Sequence, residues 1–374
     1  MNICLVSDTL PLIGGAEFYA YELCKELTYR KHNVTLLTKK IGSRDFYRNF
    51  PFNVIPCRII NRRGFISFST LLSYIFSFLR LRIEGKSFDI IHGNMIMPEI
   101  MSTIFAKFIF RANLVITEHG NAELIETSLI HRSLAKILLY FSDRVICVSD
   151  EIKDAFVKLG KPLDYIYVIP TGIVSTFFEK KDKRALREKH GFKENEKILL
   201  YMGGLKKVKG IDVLIRSFPF IQQKLKDVRL VIVGEGDEKK KLVNYAKELN
   251  LVDIEFRGVV EHDTVSEIMG CADVFLLVSI SEGMPTVVLE ALASGLPVVG
   301  TDVGDLKKVV KNGVTGYIIR ERDELEIAKA VISVLTCECN IEKEKCREVV
   351  EGYKWPNIAE KIIDVYEKML DNKN

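Results

Sequence analysis

Glu282 and Glu290 stand eight residues apart in the run Ser281-Glu282-Gly283-Met284-Pro285-Thr286-Val287-Val288-Leu289-Glu290, and the residues between them decide what the two carboxylates can do. Pro285 suits a first helical position, and Gly295 suits the C-terminal stop of the same helix. A strand-like run from Ala272 to Ser279 leads in, so the loop delivers Glu282 to the mouth of the helix. Gly283 lies in that loop, and free backbone N–H groups around Met284 to Thr286 face the same space, where with the helix dipole they form a seat for a phosphate. Glu290 is more than a turn inside the helix, where its carboxylate can accept hydrogen bonds from a diol. One acid for a sugar, one for a ribose and a phosphate seat between them describe a site for a nucleotide-linked sugar. Either acid alone reads as an ordinary charge near a helix start. That reading leaves the succession of strand, loop, helix, Gly295-Leu296-Pro297 and strand without a reason.

Other segments carry residue types that fit such a ligand. Gly14-Gly15-Ala16-Glu17 falls between a first strand and a first helix, where a glycine pair lets backbone approach and the helix start faces an anion. Tyr201 to Asp212 is a strand followed by a glycine and lysine loop holding Gly203, Gly204 and Lys209. His119, in Thr117-Glu118-His119-Gly120, ends a buried strand, where α/β proteins place ligand contacts; a lone histidine there is otherwise a hydrogen-bonded structural residue. Gly234-Glu235-Gly236-Asp237 follows a strand as a dinucleotide fingerprint would. It lacks the third glycine, and its acids would repel a pyrophosphate, so no nicotinamide cofactor is expected.

The Glu282 to Glu290 segment resembles the E-x7-E motif of retaining glycosyltransferases with the GT-B fold, in particular the large family four (glycosyl transferases group 1). The resemblance covers essentially the whole chain and is strongest from Tyr201 to Tyr317. It implies an α/β architecture of two Rossmann-like domains facing each other across a cleft: an acceptor domain over 1–180, a nucleotide-sugar donor domain over 181–352, and a C-terminal helix over 353–374 crossing back to the first. It implies that Glu282 approaches the donor hexose, Glu290 holds the ribose hydroxyls, and Gly14 and Gly15 touch donor phosphate and acceptor. Lys209 matches the lysine of the family's G-R-L-x-x-x-K-G segment and would grip the diphosphate. His119 would hydrogen-bond the donor sugar or the acceptor, and backbone from Phe256 to Val260, at Arg257, would hold the base.

Two positions depart from the pattern. Gly204 occupies the family's arginine place, and Thr171 in Ile169-Pro170-Thr171-Gly172-Ile173 occupies an asparagine place. Charge on a leaving diphosphate needs stabilisation, so a second cation is expected from Lys206 or Lys207. No nucleophile is placed for a covalent intermediate, and the resemblance implies a front-face route. The chain has no Asp-x-Asp pair, so Lys209 and helix N-termini, with no metal or other cofactor, are expected to support the leaving group.

At 374 residues the chain can bury two cores, and strand and helix signals alternate nearly throughout, as in parallel α/β sheets. The charged stretch Glu179 to Arg184 reads as the crossing between them. The first residues lack a basic leader region, and no run of about eighteen uncharged apolar residues occurs, so a cytoplasmic protein is expected. The eight cysteines show no Cys-x-x-Cys spacing, which favours buried thiols over disulfides or zinc. Lys39 to Lys86 holds ten basic residues against Asp45 and Glu84 and contains the uncharged run Gly64 to Leu79. Such a segment suits either a core helix with a basic rim or a helix lying in an anionic membrane surface. The expected partners are a nucleotide sugar, a glycan or lipid-linked acceptor and that surface, with no nucleic acid. The alternatives are a glycosidase with paired acids, which leaves the phosphate seat unexplained, a nucleotide-sugar epimerase or hydrolase, and a non-catalytic nucleotide-sugar-binding protein at the membrane.

Overall fold

The computed structural model describes residues 1–7, 15–39, 50–57, 66–96, 98–120, 128–320, 322–336 and 341–371. Gly14, Cys337, Cys339 and all the basic residues between 40 and 63 lie outside the described residues. The chain forms two units, Met1–Gly172 with Trp355–Asn374, and Ile173–Lys354.

Seven parallel strands make the sheet of the first unit: β1 Asn2–Val6, β2 Asn33–Lys39, β3 Asn53–Cys57, β4 Ile90–Asn94, β5 Asn113–Glu118, β6 Arg144–Cys147 and β7 Ile166–Val168. Their order is β3-β2-β1-β4-β5-β6-β7. Nearly every residue of β1, β4 and β5 is buried, as strands covered by helices on both faces must be. The order reverses between β1 and β4, which opens a crevice at their C-terminal ends. Strand β3 carries Pro56, which gives it a weak strand signal in the sequence; it sits at the sheet edge, where a missing N–H is tolerated.

The helix Trp355–Asp371 belongs to this unit and turns Trp355, Ile358, Ile362, Tyr366 and Met369 inward, a stripe at helical spacing. It packs beside the helix Gly15–Tyr29, and Arg30 Nη2 donates to the Pro356 carbonyl at 2.7 Å.

The second unit has six parallel strands: β8 Lys197–Met202, β9 Val228–Val233, β10 Ile254–Gly258, β11 Val274–Leu277, β12 Val298–Thr301 and β13 Gly316–Ile319. They run in the order β10-β9-β8-β11-β12-β13, so the reversal falls between β8 and β11. At the opposite ends of these strands Asp273 accepts from Lys183 Nζ and Arg187 Nη2 at 2.8 Å each and from the Ile198 N–H at 2.7 Å. This half-buried carboxylate fastens the helix Lys183–His190 to the entry of both central strands.

The division of the chain runs between Gly172 and Ile173, ahead of the charged stretch expected to mark the crossing. Burial explains the position. Ile173 and Phe177 are in the core of the second unit, and the Ile173 N–H donates to the Tyr353 carbonyl at 2.8 Å.

Candidate active site

The site-bearing loops of the second unit leave the C-terminal ends of β8 and β11, the strands on either side of its reversal. After β8 the chain passes Gly203 and Gly204, makes a short 3-10 turn over Lys207–Lys209, and enters the helix Ile211–Gln222 at Gly210. Gly210 has φ +65°, and a Cβ there would stand 2.3 Å from the Val278 carbonyl oxygen. Only glycine permits that approach. The Ile280 N–H donates to the Val208 carbonyl at 2.8 Å, so the two loops run backbone to backbone.

This contact brings Lys209 and Glu282 together from 73 residues apart. Lys209 Nζ lies 2.6 Å from Glu282 Oε1, and the buried Ser279 hydroxyl donates to the same oxygen at 2.6 Å. Ser279 is itself held, its carbonyl accepting from Thr301 Oγ1 at 2.7 Å. Burial and the Glu282 charge together push the Tyr201 hydroxyl well above its ordinary range. A paired, half-buried lysine and carboxylate at a strand end can exchange partners with a ligand that carries both an anion and hydroxyls.

The loop after Glu282 is fixed from beneath. Gly304 has φ +51°, and a Cβ there would meet the Gly283 carbonyl at 1.9 Å and the Glu282 carbonyl at 2.4 Å. The Gly283 carbonyl accepts from the Asp305 N–H at 3.1 Å. The helix spans Thr286–Ala293 with Pro285 at its cap and no side chain capping it, so Pro285 sits one place earlier than the sequence suggests and the first N–H groups stay available to an anion.

Inside that helix Glu290 is half-buried, and among the described residues its carboxylate has no hydrogen-bond or ionic partner. Loss of water around it pushes its pKa up to about 7. Among the described residues, a Cβ on Gly204 would meet only the Lys206 side chain, at 4.0 Å. Lys206 and Lys207 are exposed.

The Arg257 side chain does not join this group; the role expected of its segment belongs to the backbone. A bulge between Phe256 and Gly258 interrupts its pairing with β9. Its guanidinium lies 4.2 Å from the Phe192 ring centre, pairs with Glu255 and donates to the His190 carbonyl at 2.7 Å. The glycines of the incomplete dinucleotide motif serve close backbone packing instead, since a Cβ on Gly234 or Gly236 would strike the carbonyls of Gly203 or Leu205.

Sequence reasoning passed over Ser279, Thr301, Gly304 and Arg322. The first three look like ordinary strand and turn residues, although Gly304 lies between charged turn residues where a positive φ could be suspected. Arg322 follows β13 and brings Nη1 within 3.0 Å of where a Gly210 Cβ would stand, beside Lys209; no motif surrounds it.

In the first unit the ends of β4 and β5 build a second polar cluster. Gly15 opens the helix Gly15–Tyr29, and a Cβ there would meet nothing within 4 Å among the described residues. Asn94 Nδ2 donates to the Ala16 carbonyl at 2.8 Å and to Ser7 Oγ at 3.2 Å. A carbonyl only accepts, so the amide orientation is settled and Asn94 Oδ1 faces His119 Nε2, 2.8 Å away. His119 therefore carries its proton on Nε2 and presents Nδ1 as an acceptor.

The His119 ring packs 4.3 Å from that of Tyr19, with Trp355 behind at 5.2 Å. Burial lowers its pKa to about 3 and keeps it neutral. His92, below it, lies between Tyr366 Oη at 2.5 Å and Thr117 Oγ1 at 2.6 Å and is also lowered to about 3 by burial. Glu118 faces the other way, accepting from the N–H groups of Gly120 at 2.6 Å and Ile96 at 2.7 Å.

Two Rossmann-type units, one with an acid and lysine pair at its strand reversal, define an enzyme of the GT-B glycosyltransferase class. Two family models fit the chain in succession, one described as Glycosyltransferase Family 4 over residues 13–176 and one described as Glycosyl transferases group 1 over residues 182–355. The chain belongs to this glycosyltransferase family.

It is 27% identical to N-acetyl-alpha-D-glucosaminyl L-malate synthase of Bacillus anthracis, over 97% of each chain. It is 26% identical to the phosphatidylinositol N-acetylglucosaminyltransferase GPI3 subunit of Saccharomyces cerevisiae, over 98% of this chain and 82% of that one. Among solved structures, HepE from Anabaena in complex with UDP and glucose matches with a TM-score of 0.81 at 20% identity, covering 98% of this chain and 100% of that one. Sucrose-phosphate synthase from Thermosynechococcus elongatus matches with 0.81 at 21% identity, covering 99% of each.

The titrating groups set two measurable outcomes. Because His92 and His119 are held neutral, their imidazole NMR signals stay unchanged from pH 8 down to about pH 5, well below the ordinary histidine range. Asn94→Asp sets a carboxylate against His119 and brings its titration into view above that pH. Glu290 is raised, so its ionised form destabilises the fold, with no effect below the unfolded value and full effect above about 7. Glu290→Gln therefore stabilises the protein by about 1–2 kcal/mol at pH 8 and by nearly nothing at pH 4, read from denaturant curves.

Proposed function

We propose that the protein is a retaining glycosyltransferase that moves a hexose-type sugar from a nucleoside diphosphate to an acceptor hydroxyl on a lipid-linked or cell-surface glycan. The observation that carries this reading is the meeting of Lys209 and Glu282 at 2.6 Å, beside a helix start with no side-chain cap and a Glu290 that has no partner among the described residues. The relatives whose names state a transferred group carry N-acetylglucosamine, and HepE was crystallised with UDP and with UDP-glucose. UDP-N-acetylglucosamine is therefore the first donor to test.

In this mechanism the donor diphosphate takes Lys209 from Glu282 and lies against the N–H groups at the start of the helix Thr286–Ala293. Glu282, kept in place by Ser279, then accepts from hydroxyls of the hexose, and Glu290 accepts from the ribose diol. The bond between the anomeric carbon and the diphosphate oxygen breaks as the acceptor oxygen bonds to the same face. The acceptor proton passes to the leaving oxygen, giving the glycoside and a nucleoside diphosphate. Lys209 and the helix start stabilise the charge that appears on that oxygen, in place of a metal clamp. His119 accepts a hydroxyl of sugar or acceptor through Nδ1.

Steady-state kinetics separate the two acids. Glu282→Ala lowers kcat by about 10²–10³, whereas Glu290→Ala weakens nucleoside diphosphate binding about 10- to 100-fold. Product NMR shows the donor's anomeric configuration, and turnover persists in EDTA; an inverted product or unchanged kinetics in both variants refutes the assignment. Gly204→Arg, placed in open space, supplies the family's second cation and raises kcat about tenfold, which amounts to about 1.4 kcal/mol of barrier.

A further inference from the structure

We infer that the first unit docks on an anionic lipid bilayer through a face formed by the helices Ile66–Ile83, Ser102–Phe110 and Leu129–Phe141. The inference rests on this unit alone and stands apart from the transfer reaction. In the helix Ile66–Ile83, Tyr74, Phe78 and Leu81 are buried, while Leu72, Phe76, Leu79 and Ile83 remain outside, Ile83 being 85% exposed. Those four are spaced by four, three and four residues, which aligns them in one stripe.

The helix packs beside two others that also expose apolar residues. Phe78 packs on Phe110 at 6.1 Å, and Phe108 on Phe141 at 6.0 Å, so the three helices meet in sequence. Phe108, Leu129, Ile130 and Tyr140 add exposed apolar surface, Tyr140 being 82% exposed.

Charge selects the occupant. The three helices contain Arg80, Arg82, Lys107, Arg132 and Lys136 and neither Asp nor Glu. Arg80 pairs with Glu84, and Lys107 with Asp143; among the described residues no carboxylate pairs with Arg82, Arg132 or Lys136. An outer face that keeps bulky apolar groups in water and carries more cations than acids, with Glu84 and Asp143 each taken up by a cation at the helix ends, matches a bilayer interface, where apolar side chains enter the acyl boundary and anionic headgroups meet the remaining cations. A second copy of the chain would set these cations against one another. None of the three helices is long and apolar enough to cross the membrane, so the geometry is one of lying on the surface.

Co-sedimentation of the full chain with vesicles of phosphatidylcholine, alone or with about one third phosphatidylglycerol, tests this. Most of the protein pellets with the anionic vesicles at low salt, about tenfold less with phosphatidylcholine alone, and raised salt releases it. The combined variant Phe76→Ser, Phe108→Ser, Tyr140→Ser lowers anionic-vesicle binding about tenfold while its melting curve and nucleotide binding stay those of the native chain. Arg82→Ser with Lys136→Ser removes the preference for phosphatidylglycerol. Equal pelleting with and without anionic lipid, or a triple variant that binds as tightly as the native chain, overturns the inference. A native dimer in light scattering that the triple variant makes monomeric assigns the face to a second copy and overturns it too.

Discussion

The close passage of the chain at Gly210 under the Val278 carbonyl is the constraint on which the acid and lysine site depends. Any side chain at Gly210 would force the loop after β8 away from the end of β11. Lys209 and Glu282 would then be two charges on separate loops, each solvated and neither directed. With the loops in contact, one carboxylate oxygen is shared between an ammonium group and the Ser279 hydroxyl, and its direction is set before any ligand arrives. Gly304 does the same for the backbone after Glu282. The chemistry-bearing side chains are thus placed by residues that have no chemistry of their own.

The two units use their strand reversals differently. In the second, charge is held at the reversal, partly open to water, as an anionic ligand requires. In the first, the corresponding strand ends carry two neutral histidines, the buried His92 and the half-buried His119 packed against Tyr19, and the polar groups are tied through β4 and β5 to Tyr366 of the C-terminal helix. One crevice is electrostatic and the other is a fixed pattern of hydrogen-bond donors and acceptors.

Much of this was legible in the sequence because it is local. The alternation of apolar runs with amphipathic stretches marks the strands, and Pro285, Gly295 and the two glutamates place one helix start. Strand β3 was hidden because Pro56 breaks its signal and its edge position cannot be read from five residues. The Arg257 side chain turns to Phe192 and the His190 carbonyl beside a one-residue bulge, a local irregularity that leaves no trace in composition, while the expectation for this segment concerns its backbone. Ser279, Thr301, Gly304 and Arg322 act through contacts that cross tens of residues, and only the folded chain brings those partners together.

Because the Asn94 amide is fixed by a carbonyl on one side, His119 presents a lone pair and no proton at Nδ1. Any ligand atom that comes to that nitrogen must bring a hydrogen with it. A hydroxyl does so, whereas fluorine or an ether oxygen at the same position sets lone pair against lone pair in a half-buried place. A ligand proposed to sit there would be screened by hydrogen-bond polarity as well as by shape, and deoxyfluoro and O-methyl sugars would report which hydroxyl is screened.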